Sequence, residues 1–180
     1  MFSINFTIQS NFVNINAVVV KHKNMIANIK VSVIIVNDKN EVLLLKEKVK
    51  KNDRPLWNII KGTYGDNGDE TILEAAKREC MEEASVAVDL AGATGCYATG
   101  KTDDLKIQFN FIGRISSGEP KIASKEEQES RNEDIREIKW FSKDQLIQMP
   151  KEDFISEKIF VMISDWIKGE SYPLAIIKQF

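Results

Sequence analysis

The sequence predicts an α/β protein in which helices sandwich a mixed β-sheet, and three observations carry that expectation. Runs rich in Val, Ile and Leu recur with strand-like spacing and alternate, in uneven order, with stretches of helical periodicity. The 180 residues suffice for one domain with a real core. A hydrophobic share of 43% beside a charged share of 29% is that of an ordinary globular chain, and no repeat or low-complexity tract interrupts it.

The first twenty residues hold no charged side chain, yet Ser3, Asn5, Thr7, Gln9, Ser10, Asn11, Asn14 and Asn16 break up their apolar character. No basic start or continuous apolar core marks a signal or membrane segment. Phe2, Ile4, Phe6 and Ile8 alternate with polar residues as a half-buried strand does. Residues 1–24 are therefore expected to form an extension, an added edge strand or an arm that pairs two copies into a homodimer. The domain proper is expected over 25–180, in the cytoplasm.

Residues 29–36 and 42–45 flank Asn37-Asp38-Lys39-Asn40 and read as a β-hairpin with a polar turn. After a charged loop over 46–54, residues 55–60 resume an extended apolar stretch. Gly62 to Asp69 then places three glycines among two aspartates and an asparagine, which reads as a loop. From Glu70 to Ala84, Leu73, Ala76, Cys80 and Ala84 recur every three or four residues and form one apolar helical stripe. Strands are expected over 86–90, 95–99 and 105–115, with a turn over 116–120. The acidic stretch 124–134 reads as an exposed loop and 135–141 as a strand. Ser142 suits the N-cap of a short helix through Met149, and a last helix over 151–168 stops at Gly169.

Composition excludes several chemistries. The net charge of −2 offers no basic surface for a nucleic-acid polymer. Cys80 and Cys96 form no CxxC pair, which argues against a disulfide scaffold or a structural zinc, and Cys80 reads as a small core residue. His22 is the only histidine, so acid–base work falls to Asp, Glu, Lys or Tyr.

One helix stands out. Glu79, Glu82 and Glu83 stand at i, i+3 and i+4 and share one face beside the apolar stripe. A pair of such charges roughly 5 Å apart repels by about 3 kcal/mol at an effective dielectric near 20. A divalent cation removes that cost, and magnesium favours hard oxygen ligands. Glutamates alone would more simply make a solvated face. The glycine-rich loop leading into the helix and Arg78 inside the acidic cluster shift that balance, since Arg78 can reach Glu74, Glu82 or Glu70.

The segment resembles the Nudix box, whose pattern is Gly, five residues, Glu, seven residues, Arg-Glu, an aliphatic residue, any residue, Glu-Glu, any residue, Gly and an aliphatic residue. Glu70, Arg78-Glu79, Cys80 in the aliphatic slot, Glu82-Glu83 and Val86 match in register. Trp57 and Glu137-Ile138-Lys139-Trp140-Phe141-Ser142 extend the likeness over residues 29–168. The resemblance implies a Nudix-type α/β/α sandwich that hydrolyses the pyrophosphate bond of a nucleoside diphosphate joined to another moiety, a nucleoside triphosphate or other nucleotide derivative. It implies magnesium or manganese held by Glu79, Glu82 and Glu83, with Glu70 and Arg78 bracing the helix. The water would be activated by one of these glutamates or by Glu126, Glu127, Glu129 or Glu133 from the later loop. Lys61 and Gly62 would face the substrate, and Tyr64, Tyr97 and Phe109 are candidates to stack on a base.

Three positions depart from the pattern. Seven residues rather than five separate Gly62 from Glu70, Ile60-Lys61 replace a Pro-Gly, and Ser85 stands where the box has glycine. These keep open a nucleotide-binding or regulatory module with weak or no turnover. The absence of proline between Pro55 and Pro120 speaks against the ADP-ribose enzymes of the family. The isomerase branch needs a cysteine–histidine environment that His22 alone does not supply.

Overall fold

β1 (Ala27–Ile35) carries core residues on both of its faces, and that fixes its place at the centre of the molecule. Val31, Val33 and Ile35 join one buried cluster, while Ile34 joins a second on the opposite side. The computed structural model describes residues 27–101 and 104–179, so the strand or arm expected over 1–24 lies outside the described residues.

The elements that follow are β2 (Val42–Glu47), β3 (Leu56–Asn58), β4 (Ile60–Thr63), α1 (Ile72–Ala84), β5 (Ala87–Lys101), β6 (Asp104–Ser117), α2 (Lys125–Arg131), β7 (Ile135–Phe141), α3 (Lys143–Gln148) and α4 (Glu157–Lys168). A mixed sheet runs in the order β4-β1-β6-β5, with β1 and β6 parallel and the other neighbours antiparallel. A second, antiparallel sheet runs β3-β2-β7. Ala75, Ala76, Cys80 and Ala84 of α1 pack into the cluster on one side. Ile159, Met162, Ile163 and Trp166 of α4 pack into the cluster on the other. The expected α/β/α sandwich is the observed one.

Four local expectations are corrected. The hairpin of residues 29–36 and 42–45 does not form as a ladder: β1 and β2 share one isolated bridge, Val36 to Val42, and then part into different sheets. Both edges of β1 are already taken, by β4 and β6. The strands expected over 86–90 and 95–99 are one strand, β5, whose register slips at Leu90/Gly92 and Ala93/Gly95. The loop expected over 124–134 contains α2, started by a capping box in which Ser124 accepts from the Glu127 N–H and Glu127 accepts from the Ser124 N–H. The last helix begins at Glu157 rather than Lys151. A 3₁₀ turn at Lys151–Asp153 precedes it, and the Ile155 N–H donates to the Trp57 carbonyl at 2.9 Å before Ser156 caps the helix.

α1 starts at Thr71 with a capping box to Glu74 and ends at Ser85, whose φ of 58° and ψ of 32° are left-handed. A residue with a Cβ holds that conformation at a cost of about 1 kcal/mol or more. Ser85→Gly is expected to raise stability by about 1 kcal/mol, which for a domain of this size is roughly 2–4 °C in melting temperature. Calorimetric melting reads it directly, and a lower melting point would show that the serine hydroxyl contributes more than the backbone relief.

Candidate active site

Glu79 and Glu83 are only 5% and 4% exposed, so two of the three expected carboxylates lie inside the protein and not on a solvated face. They belong to the buried side of α1 together with Ala76, Cys80 and Ala84. The helix can present them there because β4 meets it at Gly62. A Cβ at that position would coincide with the Glu79 carboxylate, so a larger residue there would force that side chain out of its present place.

Arg78 holds the acidic group together. Its Nε and Nη2 donate to the two Glu70 oxygens at 2.9 Å each, and Nη1 donates to Glu79 at 2.7 Å and to Glu82 at 3.0 Å. A further bond from Nη2 to the Thr63 carbonyl, 3.1 Å, ties the helix to the end of β4. The two-pronged pair with Glu70 is the geometry that guanidinium and carboxylate favour. Hydrogen bonds from Arg78 lower the Glu70 pKa, and Glu70 in turn raises that of Arg78. Of the three partners open to Arg78 in the sequence, Glu70 and Glu82 are used. Glu74 is engaged by the Thr71 cap instead.

Glu83 accepts from the Lys61 backbone N–H at 3.1 Å. Burial pushes its pKa well above the usual carboxylate value, against the pull of the Lys61 charge. Burial also raises Glu79, with Arg78 opposing. Lys61 pairs through Nζ with Glu47 at 3.1 Å. Burial alone would lower its pKa, but Glu83 and Glu47 hold it above the ordinary value.

These groups line a cleft of about 430 Å³ with Gly62, Thr63, Asp66, Asn67, Arg131, Asn132 and Glu133. Asp66 and Asn67 come from the lengthened loop. Of the four later glutamates, Glu133 alone reaches the cleft. Arg131 orients it at 3.1 Å while also donating to the Glu82 carbonyl at 2.9 Å, and burial raises the Glu133 pKa. Glu127 is consumed by its cap, and Glu126 and Glu129 are exposed. None of Tyr64, Tyr97 and Phe109 lines the cleft: Tyr64 and Phe109 pack on the α1 side, and Tyr97 donates its hydroxyl to Asp165 at 2.9 Å beside α4.

Glu47 was not singled out from the sequence, although a signal exists. Leu43 and Leu45 face the α1 side, so a strand's period of two carries Glu47 to that side as well. Asn58 adds to it, donating to Glu47 at 2.7 Å.

The NUDIX domain profile matches residues 27–161. The chain belongs to the NUDIX family of hydrolases. Solved Nudix structures share the fold. A NUDIX hydrolase from Nitrosomonas europaea is 24% identical, with 86% of this chain and 97% of that one covered and a TM-score of 0.68. The MutT protein from Methanosarcina mazei Go1 is 20% identical over 81% and 94%, with a TM-score of 0.58. A MutT NUDIX hydrolase from Burkholderia pseudomallei is 18% identical over 77% and 97%, with a TM-score of 0.59. No curated protein matches the chain. Trp57 and Phe141, flagged with the Nudix box, meet edge to face across β2 with ring centres 4.7 Å apart. No described helix is long and apolar enough to cross a membrane.

Among the described residues, no three acidic or metal-ligating side chains converge on one point as a metal's ligands would. The oxygens of Glu79 and Glu82 are instead turned to Arg78, and those of Glu83 to the Lys61 N–H.

Proposed function

We propose that this Nudix domain hydrolyses the pyrophosphate bond of a nucleoside diphosphate linked to another moiety, with magnesium or manganese held by Glu79, Glu82 and Glu83. The carrying observation is the pair of buried carboxylates, Glu79 and Glu83, opening onto a cleft whose other wall is Lys61 and Gly62. The donor set fits a hard divalent cation: every candidate ligand is a carboxylate oxygen, and the Glu79 carboxylate packs directly against the Gly62 backbone where that residue lines the cleft. When bound, such a cation supplies charge to the departing phosphoryl oxygens and acidity to a nearby water.

The chain's own residues do the rest. Arg78 clamps Glu70, Glu79 and Glu82 and fixes the helix against Thr63, so that the carboxylates keep their places without loop reorganisation. Lys61 places a cation on the substrate side of the cleft and donates its backbone N–H to Glu83. Glu133, half-buried with a raised pKa, is the later-loop carboxylate suited to accept the proton of the attacking water. Two unbridged cysteines fit a cytoplasmic setting.

Phosphate or nucleotide release, followed across nucleoside triphosphates, nucleotide sugars and dinucleoside polyphosphates with magnesium and then with EDTA, tests the reading. Turnover of at least one substrate that stops with EDTA is expected. The second reading, a nucleotide-sensing module, draws on the lengthened loop and on Arg78 occupying Glu79 and Glu82. It gains if a panel member binds and none is hydrolysed.

A further inference from the structure

Beside the carboxylate cleft lies a second cavity of about 260 Å³, and its charged lining is of one sign only. Lys30, Lys51, Lys61, Lys106 and Lys158 surround it. They come from β1, the loop after β2, β4, β6 and α4, so the cluster is made by folding and is no run of sequence. The register explains the convergence. Lys30 stands opposite both Thr63 and Gln108, and Lys61 opposite Ser32, which brings the three strands' polar ends to one side of the sheet. α4 covers that side with Ile159, Met162 and Ile163, but it begins only at Glu157. Lys30, Lys61 and Lys106 stand on the sheet beyond the start of that helix, Lys158 comes from its first turn and Lys51 from the loop after β2.

Internal partners neutralise little of this charge. Lys61 has Glu47, and Lys106 meets Asp104 at 3.6 Å on the surface. Lys30 donates to the Thr63 hydroxyl, a neutral acceptor. Among the described residues, Lys51 and Lys158 have no carboxylate at ion-pair distance. Burial, then the neighbouring lysines, lower the pKa of Lys158; burial and Lys61 do the same to Lys30. Three of the five, Lys30, Lys61 and Lys158, are partly withdrawn from water while Lys51 and Lys106 stand exposed at the rim. A cluster of one sign in a concave site attracts an anion. The cavity is small for a nucleoside and roomy for a phosphate. It shares Lys61 and Gly62 with the carboxylate cleft, so one ligand can occupy both.

We infer that this cavity binds a further phosphate group carried by the substrate on the far side of its scissile diphosphate. The inference rests on the diphosphate hydrolysis proposed above for the neighbouring cleft. It narrows the substrate class to phosphoanhydrides whose second moiety is itself phosphorylated: an uncharged base or sugar would leave the ammonium groups without a counter-charge, while a phosphate accepts from several at once.

Two measurements test it separately from the hydrolysis. Inorganic tripolyphosphate is titrated calorimetrically in EDTA, where no cation serves the carboxylates. The wild type is expected to bind it, and Lys106→Gln with Lys158→Gln to weaken binding at least tenfold with an unchanged melting curve. Equal affinity in the double variant overturns the inference. Turnover is then compared for matched pairs differing by one phosphate, such as NADH and NADPH. The wild type is expected to favour the phosphorylated partner at least tenfold in kcat/KM, and the double variant to lose that preference while its rate on the unphosphorylated partner holds. No preference, together with equal tripolyphosphate binding, sinks the inference and leaves the hydrolase reading intact. Lysine-dependent binding with no turnover of any compound sinks the hydrolase reading and leaves the anion site.

Discussion

Glu83→Gln is expected to lower magnesium-dependent turnover by a factor on the order of 10³, equivalent to about 4 kcal/mol of transition-state stabilisation, while leaving the fold intact. The amide matches the carboxylate in shape, and its oxygen still accepts from the Lys61 N–H that Glu83 now engages. Only the charge is lost, and the charge is what a cation in the cleft would need. The stability effect runs the other way. Burial disfavours ionised Glu83, with Glu47 and Glu133 adding repulsion, so the metal-free variant should melt above the metal-free wild type at neutral pH and higher. Steady-state kinetics and melting on one preparation read both effects. A variant with wild-type kcat would remove Glu83 from the reaction.

Arg78→Ala is expected to destabilise the protein by about 3 kcal/mol, since it leaves the nearly buried Glu79 and Glu70 carboxylates without their cation. For a domain of this size that is a fall of roughly 6–12 °C in melting temperature. Arg78→Lys should recover less than half of the loss: an ammonium cannot serve Glu70 with two parallel bonds and still reach Glu79, Glu82 and the Thr63 carbonyl. Denaturant unfolding of the three proteins gives the comparison. A loss under about 1 kcal/mol in Arg78→Ala would mean that the carboxylates find water or protons at little cost.

The shared face of Glu79, Glu82 and Glu83 was legible because a helix converts sequence interval into neighbourhood. Spacing alone fits a solvated face equally well, and it was the register of Glu70 and Arg78 with the Nudix box that singled these residues out. Glu133, Glu47 and the lysine cavity depend on which strands become neighbours. Sequence reading paired β1 with β2 through the Asn37–Asn40 turn, whereas β1 takes β4 and β6 as its neighbours. With that pairing unknown, Lys30, Lys61 and Lys106 could not be seen to meet. The helix over Lys125–Arg131 was legible in Ser124 and Glu127, whose spacing is that of a capping box, but its acidic, fully polar surface resembles that of a loop. The true start of α4 lay in Ser156, hidden because Ile155 and Ile159 continue the apolar period across the cap. Ser85, which stands where the box has glycine, takes the left-handed conformation that glycine enters freely.

The claim that the carboxylate face of α1 is a cation site is tested most directly by melting the wild-type protein with and without magnesium at two pH values. Burial sets the folded-state pKa of Glu83 well above its ordinary 4.5, so the fold keeps a proton there that the unfolded chain has released. That contribution to stability is full below the unfolded value and is lost as the pH rises through the folded one. Magnesium competes with the same proton, so its stabilisation should grow with pH: at about pH 8 and about a hundred times its Kd the gain is about 2.7 kcal/mol, and at about pH 5.5 it is markedly smaller. A melting temperature unmoved by magnesium at the higher pH would contradict the cation site.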